Sequence, residues 1–252
     1  MIIGMIHVKA LPGTPMNELE QKEIISHAIK EAETYKKLGI DTVIIENMHD
    51  VPYTKDPGPE ITACMAAIGY EIKKIGLRCG IQILSGGNME ALACAKAAGL
   101  DFIRAEGFVY AHVGDEGYIE SCAGELLRYR KRIGAEDIKI YTDIKKKHSS
   151  HALTSDVDLN ETAATAEFFL SDGVIITGST TGKEPTVEDL KEVEDLKIPK
   201  LIGSGLTAEN IGGFKQCADG FIVGSYFKKD GFWQNELDPE RIKRFLSNMD
   251  RT

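Results

Sequence analysis

Residues 201–207 read Leu-Ile-Gly-Ser-Gly-Leu-Thr, and residues 221–225 read Phe-Ile-Val-Gly-Ser. In each stretch a short apolar run ends in a glycine–serine turn. An apolar run followed by a turn of small residues is typical of a buried parallel strand that ends beside a ligand. The number of such runs along the whole chain therefore decides the fold class.

Apolar and amphipathic runs alternate from one end of the chain to the other. The apolar runs predict strands at 2–7, 41–47, 80–84, 101–105, 137–143, 173–177, 199–203 and 219–224. The amphipathic runs predict helices at 18–38, 60–76, 88–98, 119–133, 159–170, 187–196, 208–216 and 239–248. Eight alternating strands and helices predict an α/β fold, a (β/α)8 TIM barrel with a closed parallel sheet, in a single domain over residues 1–252.

Three strand-to-helix connections are longer than the others, at 47–59, 106–118 and 144–157. In a barrel these connections lie on the catalytic face, so we expect them to surround the site. Tolerated surface insertions are the alternative interpretation.

Composition excludes several classes of protein. The 252 residues carry a formal net charge of -9, which argues against a nucleic-acid partner. No apolar run reaches the 18 or more residues that span a bilayer, so we expect no membrane insertion. The chain begins with a short apolar run that lacks the features of a signal peptide, which predicts a cytoplasmic protein.

Polar residues interrupt the apolar runs near their carboxyl ends, where a barrel places its chemistry. They are His7, Glu46, Asn47, Gln82, Arg104, Asp143 and Thr177. We interpret Glu46 or Asp143 as the base of a proton transfer, with Arg104 stabilising negative charge. His7 or His148 is the candidate second acid. A buried Glu–Arg–Asp ion network that only fills the barrel remains the alternative.

The glycine–serine turns predict a phosphate site, because they follow the seventh and eighth strands. The predicted phosphate-binding residues are Gly203, Ser204, Gly205, Gly224 and Ser225. Further ligand-binding candidates are Asn47, Gln82, Lys147, Thr177 and Gly178. Tight turns without a ligand are the alternative interpretation.

No dense metal-binding motif occurs in the chain, and we expect no cofactor. A divalent metal gathered from separate loops by Glu46, Asp143 and His148 remains open.

Several motifs resemble the BtpA/SgcQ family over essentially the whole chain. They include residues 5–15 (Met-Ile-His-Val-Lys-Ala-Leu-Pro-Gly-Thr-Pro), 101–104, 124–130, Asp143 with Lys147-His148, and 201–205. Residues 144–151 (Ile-Lys-Lys-Lys-His-Ser-Ser-His) are similar to the animal branch. Many bacterial relatives have Asn-Val-Leu-Arg near 82–85, where this chain has Gln-Ile-Leu-Ser. The resemblance implies a TIM barrel; the family takes its name from cyanobacterial members implicated in photosystem I stability.

The sequence thus predicts an enzyme acting on a small phosphorylated metabolite, a sugar or ribosyl phosphate, with isomerase- or aldolase/lyase-type proton transfer. One alternative is a non-catalytic assembly factor or ligand sensor, which would show a large exposed apolar patch. A metal-assisted hydrolase is another. A homo-oligomer is compatible with the sequence, but no interface is identified.

Overall fold

The computed structural model describes residues 1–177 and 185–250. Eight parallel strands form a closed barrel. They are β1 (Ile2–His7), β2 (Thr42–Glu46), β3 (Arg78–Gln82), β4 (Phe102–Ala105), β7 (Lys139–Ile144), β8 (Gly173–Ile176), β9 (Lys200–Ile202) and β10 (Gly220–Val223). Around the barrel they follow the order β1-β10-β9-β8-β7-β4-β3-β2. The predicted TIM-barrel fold is confirmed, and the strand bounds differ from the predicted ones by no more than two residues.

The helices alternate with these strands. They are α1 (Gln21–Lys37), α2 (Pro59–Lys74), α3 (Asn88–Ala98), α4 (Ala123–Arg132), α5 (Leu159–Phe168), α6 (Val187–Glu192) and α7 (Pro239–Asp250). Their ends follow local chemistry. Asp158 accepts a hydrogen bond from the N–H of Glu161, and Thr186 forms a reciprocal capping pair with Asp189. Gly99 ends α3 in a left-handed conformation that a glycine adopts without strain.

Two sequence predictions were wrong in detail. The predicted helix at 208–216 is only a short 3-10 turn at Ile211–Gly213, because two adjacent glycines disfavour a longer helix. Residues 117–119, which include the predicted start of a helix at 119, form strand β6 (Gly117–Ile119). This strand pairs antiparallel with β5 (His112–Gly114) in a hairpin.

Contacts group the chain into two compact units. The N-terminal unit consists of Gly4–Glu106 and Cys122–Ile140, and the C-terminal unit consists of Met1–Ile3, Gly107–Ser121 and Tyr141–Thr252. The prediction of one domain over 1–252 stays a prediction.

The N-terminal unit is built on β2, β3 and β4 in register, with Glu46 opposite Gln82 and Ile81 opposite Ile103. The ring of Phe102 lies so close to Gly80 that a Cβ there would come within 2.1 Å of it. A glycine at this position lets the neighbouring strand's aromatic ring fill the core.

The C-terminal unit is built on β7, β8, β9 and β10. Asp143 is opposite Ile175, Ile176 is opposite Ile202, and Ile202 is opposite Phe221. The apolar residues of these strands are buried, as expected for parallel strands covered on both faces. Within the described residues, no helix has both the length and the apolar character needed to cross a membrane.

Candidate functional site

The carboxyl ends of four neighbouring strands meet in the C-terminal unit. Asp143 lies near the end of β7, Thr177 follows β8, the turn at 203–205 follows β9, and Gly224 follows β10. Because adjacent parallel strands in register end on the same side, the turns after them share one edge of the sheet.

Lys147 connects the loop after β7 with this edge. Its Nζ donates to the hydroxyl oxygen of Ser204 at 2.5 Å, and its backbone N–H donates to Thr177 Oγ1 at 3.1 Å. Lys147 therefore contacts two other residues that the sequence predicts to bind the ligand, Ser204 and Thr177. A lysine ammonium beside a serine hydroxyl in a turn of small residues is chemistry suited to an anion such as phosphate.

The three backbone N–H groups of the 203–205 turn differ in their hydrogen bonding. The N–H of Gly203 donates to Ile176 O at 2.9 Å, so this residue fastens the turn to β8. Within the described residues, the N–H groups of Ser204 and Gly205 have no hydrogen-bond partner. Gly205 has φ +70°, a conformation that favours glycine.

The second glycine–serine turn is more open. Ser225 begins a single 3-10 turn in which Phe227 N–H donates to Gly224 O at 2.9 Å, and the Ser225 side chain is exposed. The phosphate role of Gly224 and Ser225 stays a prediction. Gly178 lies outside the described residues.

The loop that carries Lys147 contains two residues in left-handed backbone conformations. Lys145 has φ +46° and His148 has φ +60°, which side chains other than glycine adopt rarely. Lys145 Nζ donates to Thr154 O at 2.9 Å, and desolvation lowers the pKa of this lysine. The His148 side chain is exposed rather than enclosed; desolvation and the charge of Lys147 lower its pKa.

A pocket in the C-terminal unit holds Asp143. Its empty space is about 310 Å³, and part of it is open to solvent. Besides Asp143 it is lined by polar side chains of the two long loops and α5, among them Tyr110, His112, Lys145, Lys146 and His151. A carboxylate beside cationic groups in a partly enclosed space can take up a proton from a bound molecule.

The N-terminal unit holds the other candidate catalytic residues. His7 at the end of β1 and Glu46 at the end of β2 are both buried, with Nε2 and Oε2 separated by 3.9 Å. Arg104 lies on β4 and is half-buried. The catalytic roles of these residues stay predictions.

Asn47 and Gln82 make structural contacts. Asn47 Oδ1 accepts from the N–H of Leu84 at 2.7 Å, and its Nδ2 donates to Asp50 Oδ2 at 2.8 Å. Desolvation raises the pKa of Asp50 although the N–H of Leu11 donates to its other oxygen. Asn47, with Asp50, therefore joins the loops after β1, β2 and β3. The ligand-binding roles of Asn47 and Gln82 stay predictions.

Glu106 is the residue that the sequence interpretation missed. This buried carboxylate accepts hydrogen bonds from Gln82 Nε2 and Ser85 Oγ, each at 3.0 Å, and from Gly86 N–H at 3.2 Å. Asn88 also bonds to both the backbone N–H and the carbonyl of Glu106. The sequence carries a signal for it, since Glu106 directly follows the apolar run of β4, but the predicted strand ends at 105 and the predicted long loop begins at 106.

One polar atom of the Gln82 side-chain amide makes no hydrogen bond. Its Nε2 faces Glu106, whereas its buried Oε1 has no hydrogen-bond partner. A buried acceptor without a partner is costly, so the hydrogen bond from Gln82 Nε2 to Glu106 Oε1 determines which way this amide points.

Among residues 1–177 and 185–250, no group of three or more His, Cys, Asp or Glu side chains has a metal-binding arrangement. The expectation that no cofactor is needed stays a prediction.

The fold and the strand-end residues define a TIM-barrel protein. Its likeness to known structures agrees: orotidine 5'-phosphate decarboxylase from Pyrococcus horikoshii aligns over 100% of both chains with a TM-score of 0.59. The two sequences are 17% identical, a level at which the likeness concerns the fold alone.

The chain belongs to the BtpA family, whose model matches residues 1–251. A Caenorhabditis elegans relative, "Uncharacterized protein F13E9.13, mitochondrial", is 51% identical over 99% of this chain and 92% of its own length. "Photosystem I biogenesis protein BtpA" of Synechocystis is 33% identical over 98% of this chain and 87% of its own length. The resemblance to the animal branch and to the cyanobacterial protein is confirmed.

Proposed function

We propose that this protein is an enzyme that binds a small phosphorylated metabolite at the ends of β7 to β10 and transfers a proton on it. The main support is one hydrogen bond: the ammonium of Lys147 donates to the hydroxyl of Ser204, and Ser204 lies in a glycine-rich turn after the seventh barrel strand. The orotidine 5'-phosphate decarboxylase of similar fold has a 5'-phosphate in its name, which supports the same ligand class.

Phosphate would be bound by the Lys147 ammonium, the Ser204 hydroxyl and the N–H groups of Ser204 and Gly205. These donors suit a dianion, and a lysine supplies a charge without requiring one fixed geometry. The bound phosphate would hold the ligand in place while another part of the molecule reacts. Enzymes commonly use the binding energy of such a non-reacting group to orient the reacting atoms.

Asp143 is the proposed base in this unit. It is buried, lies on the strand next to Thr177, and lines a pocket with Lys145 and Lys146. A carboxylate removes a proton next to a carbonyl, and a nearby cation stabilises the oxyanion that results. This chemistry is shared by isomerases and by lyases of the aldolase type, and a sugar or ribosyl phosphate is the proposed substrate class.

The test is a thermal-shift screen of the full chain against phosphorylated sugars, with inorganic phosphate as reference, followed by proton NMR of each hit in D2O. Exchange of a ligand C–H for deuterium in the wild type, and its loss in Asp143→Asn, would support the proposal. Stabilisation by phosphorylated ligands that survives in Lys147→Met would contradict it.

A second candidate function is a non-catalytic assembly factor, which the cyanobacterial relative's name suggests. One structural observation favours it: Phe168 and Leu170, at the end of α5, are 80% and 71% exposed. Exposed apolar groups in succession are typical of contact surfaces. In that case Asp143→Asn would keep full biological function, whereas Phe168→Ser with Leu170→Ser would lose it.

The cellular location is a separate proposal. We propose the cytoplasm, and the C. elegans relative, called mitochondrial, supplies the alternative. Imaging of the tagged full-length protein in its own cells decides between the two.

A further inference from the structure

The β5–β6 hairpin is fastened to the loop that carries Lys147. Val113 and Ser150 exchange two backbone hydrogen bonds, at 3.1 and 2.7 Å. Next to them, the rings of His112 and His151 lie with their centroids 5.7 Å apart. The hairpin therefore lies alongside the second half of the loop, at Ser150 and His151.

The side chain of Glu116, in the turn of this hairpin, is buried, whereas a glutamate side chain is ordinarily solvated. Its side chain is 5% exposed, and its Oε1 lies 3.7 Å from Nζ of Lys146, whose side chain is 17% exposed. Burying a carboxylate is costly unless an opposite charge accompanies it. The ion pair with Lys146 supplies an opposite charge to the buried carboxylate of Glu116.

Gly114 makes room for this carboxylate. A Cβ at Gly114 would lie 2.6 Å from Glu116 Oε1, closer than atoms of this kind approach. The backbone of Gly114 is not in the left-handed region, so an alanine there would fit the chain but push the carboxylate away. The space left by Gly114 and the pairing of Glu116 with Lys146 thus keep one carboxylate beside the ammonium of Lys146.

The lysine loop needs such support. Lys145, Lys146 and Lys147 are consecutive and carry like charges, which repel one another. Lys145 and His148 also have left-handed backbones, which persist only where surrounding contacts hold them. A carboxylate beside Lys146 offsets part of the repulsion between the three lysines, and Lys147 is the cation that reaches Ser204.

We propose that Glu116 is a positioning residue for phosphate binding: by pairing with Lys146 it holds the lysine loop so that Lys147 meets Ser204. The inference rests on the proposed function, because it assumes that Lys147 and Ser204 bind phosphate. Glu116 itself does not touch the ligand. The opposite role, in which Glu116 competes with a ligand anion for the lysine loop, predicts the opposite effect of removing its charge.

The experiment measures binding of inorganic phosphate to the full chain by isothermal titration calorimetry, at a temperature where circular dichroism shows every variant folded. The variants are Lys147→Met, Glu116→Gln, Gly114→Ala, Lys146→Met and the Glu116→Gln/Lys146→Met double variant. Glu236→Gln is the matched control, since Glu236 pairs with Lys229 at 3.0 Å on the exposed surface.

We expect Glu116→Gln and Gly114→Ala each to weaken phosphate binding about fivefold, while Glu236→Gln changes it less than twofold. In the Lys146→Met background, Glu116→Gln should weaken phosphate binding clearly less than it does in the wild type, because the Glu116–Lys146 pair is already broken. Gly114→Ala keeps every charge, so it also tests the inference if Glu116→Gln does not fold.

Two results would overturn the inference, and they differ. If Lys147→Met abolishes binding while Glu116→Gln and Gly114→Ala bind as tightly as the wild type or more tightly, Glu116 does not position the loop and the proposed function stands. If the wild type does not bind phosphate, the proposed function falls and the inference falls with it.

Discussion

Lys147 Nζ donates a hydrogen bond to Ser204 Oγ at 2.5 Å, which joins the loop after β7 to the turn after β9. The two residues are 57 positions apart in the chain. Neither is unusual by itself: one belongs to a run of lysines, and the other to a small turn. Their contact brings an ammonium and a hydroxyl group together at this edge of the barrel.

Replacing Ser204 with aspartate should weaken phosphate binding strongly. The new carboxylate would pair with Lys147 and repel the dianion, so affinity for inorganic phosphate should fall at least about tenfold. Calorimetric titration measures it, with Ser247→Asp on the exposed face of α7 as the matched control. Normal phosphate affinity in Ser204→Asp would exclude this turn as the site.

Asp143→Asn should separate binding from chemistry. The amide cannot accept the proton, so turnover, or exchange of the ligand C–H in D2O, should fall about a hundredfold or more. Because Asp143 is not among the proposed phosphate donors, phosphate affinity should change little. Equal loss of both quantities would show that Asp143 maintains the fold of the site and is not the base.

Glu106 offers a test on stability. Glu106→Met leaves the donors of Gln82, Ser85 and Gly86 without their acceptor, and should lower the free energy of unfolding by about 3 kcal/mol. Glu106→Gln should cost only about 1 kcal/mol, because the Gln82 amide can rotate and present its unused oxygen to the new amide.

Urea denaturation of both variants measures this difference, and Glu33→Gln on the exposed face of α1 is the control. Equal costs for the methionine and glutamine variants would mean that the hydrogen bonds to this carboxylate are not what stabilises the loop after β3.

Stability should decline below about pH 6.5. Desolvation lowers the pKa of His151 from its ordinary value of 6.5, and desolvation followed by the charge of Lys147 lowers that of His148. Below about pH 6.5 the unfolded chain therefore binds more protons than the folded one. The contribution of these two histidines to the free energy of unfolding is fully present above about pH 6.5. It is lost as the pH falls through their lowered pKa values in the folded protein.

The free energy of unfolding, measured between pH 7.5 and 5, checks this trend. His151→Gln should make the decline shallower, whereas His27→Gln, on the exposed face of α1, serves as the control. A decline as steep in His151→Gln as in the wild type would assign the pH dependence to other groups.

The sequence by itself determined the barrel. Each buried parallel strand appears as a short apolar run, and each covering helix as an amphipathic one, so eight repeats predicted the order of elements. The predicted helix at 208–216 failed because Gly212 and Gly213 oppose a helix that the apolar pattern alone suggested. The positions of Ser204 and Asp143 at strand ends followed from the same count.

Only the tertiary structure decided which polar groups meet. Lys147 was one of three adjacent lysines, Glu116 was an ordinary turn residue, and Glu106 was assigned to a loop. Their partners are Ser204, Lys146, and the group of Gln82, Ser85 and Gly86, all of which lie 20 or more positions away. A local pattern records burial and periodicity, whereas the pairing of charges depends on which loops the barrel brings to one edge.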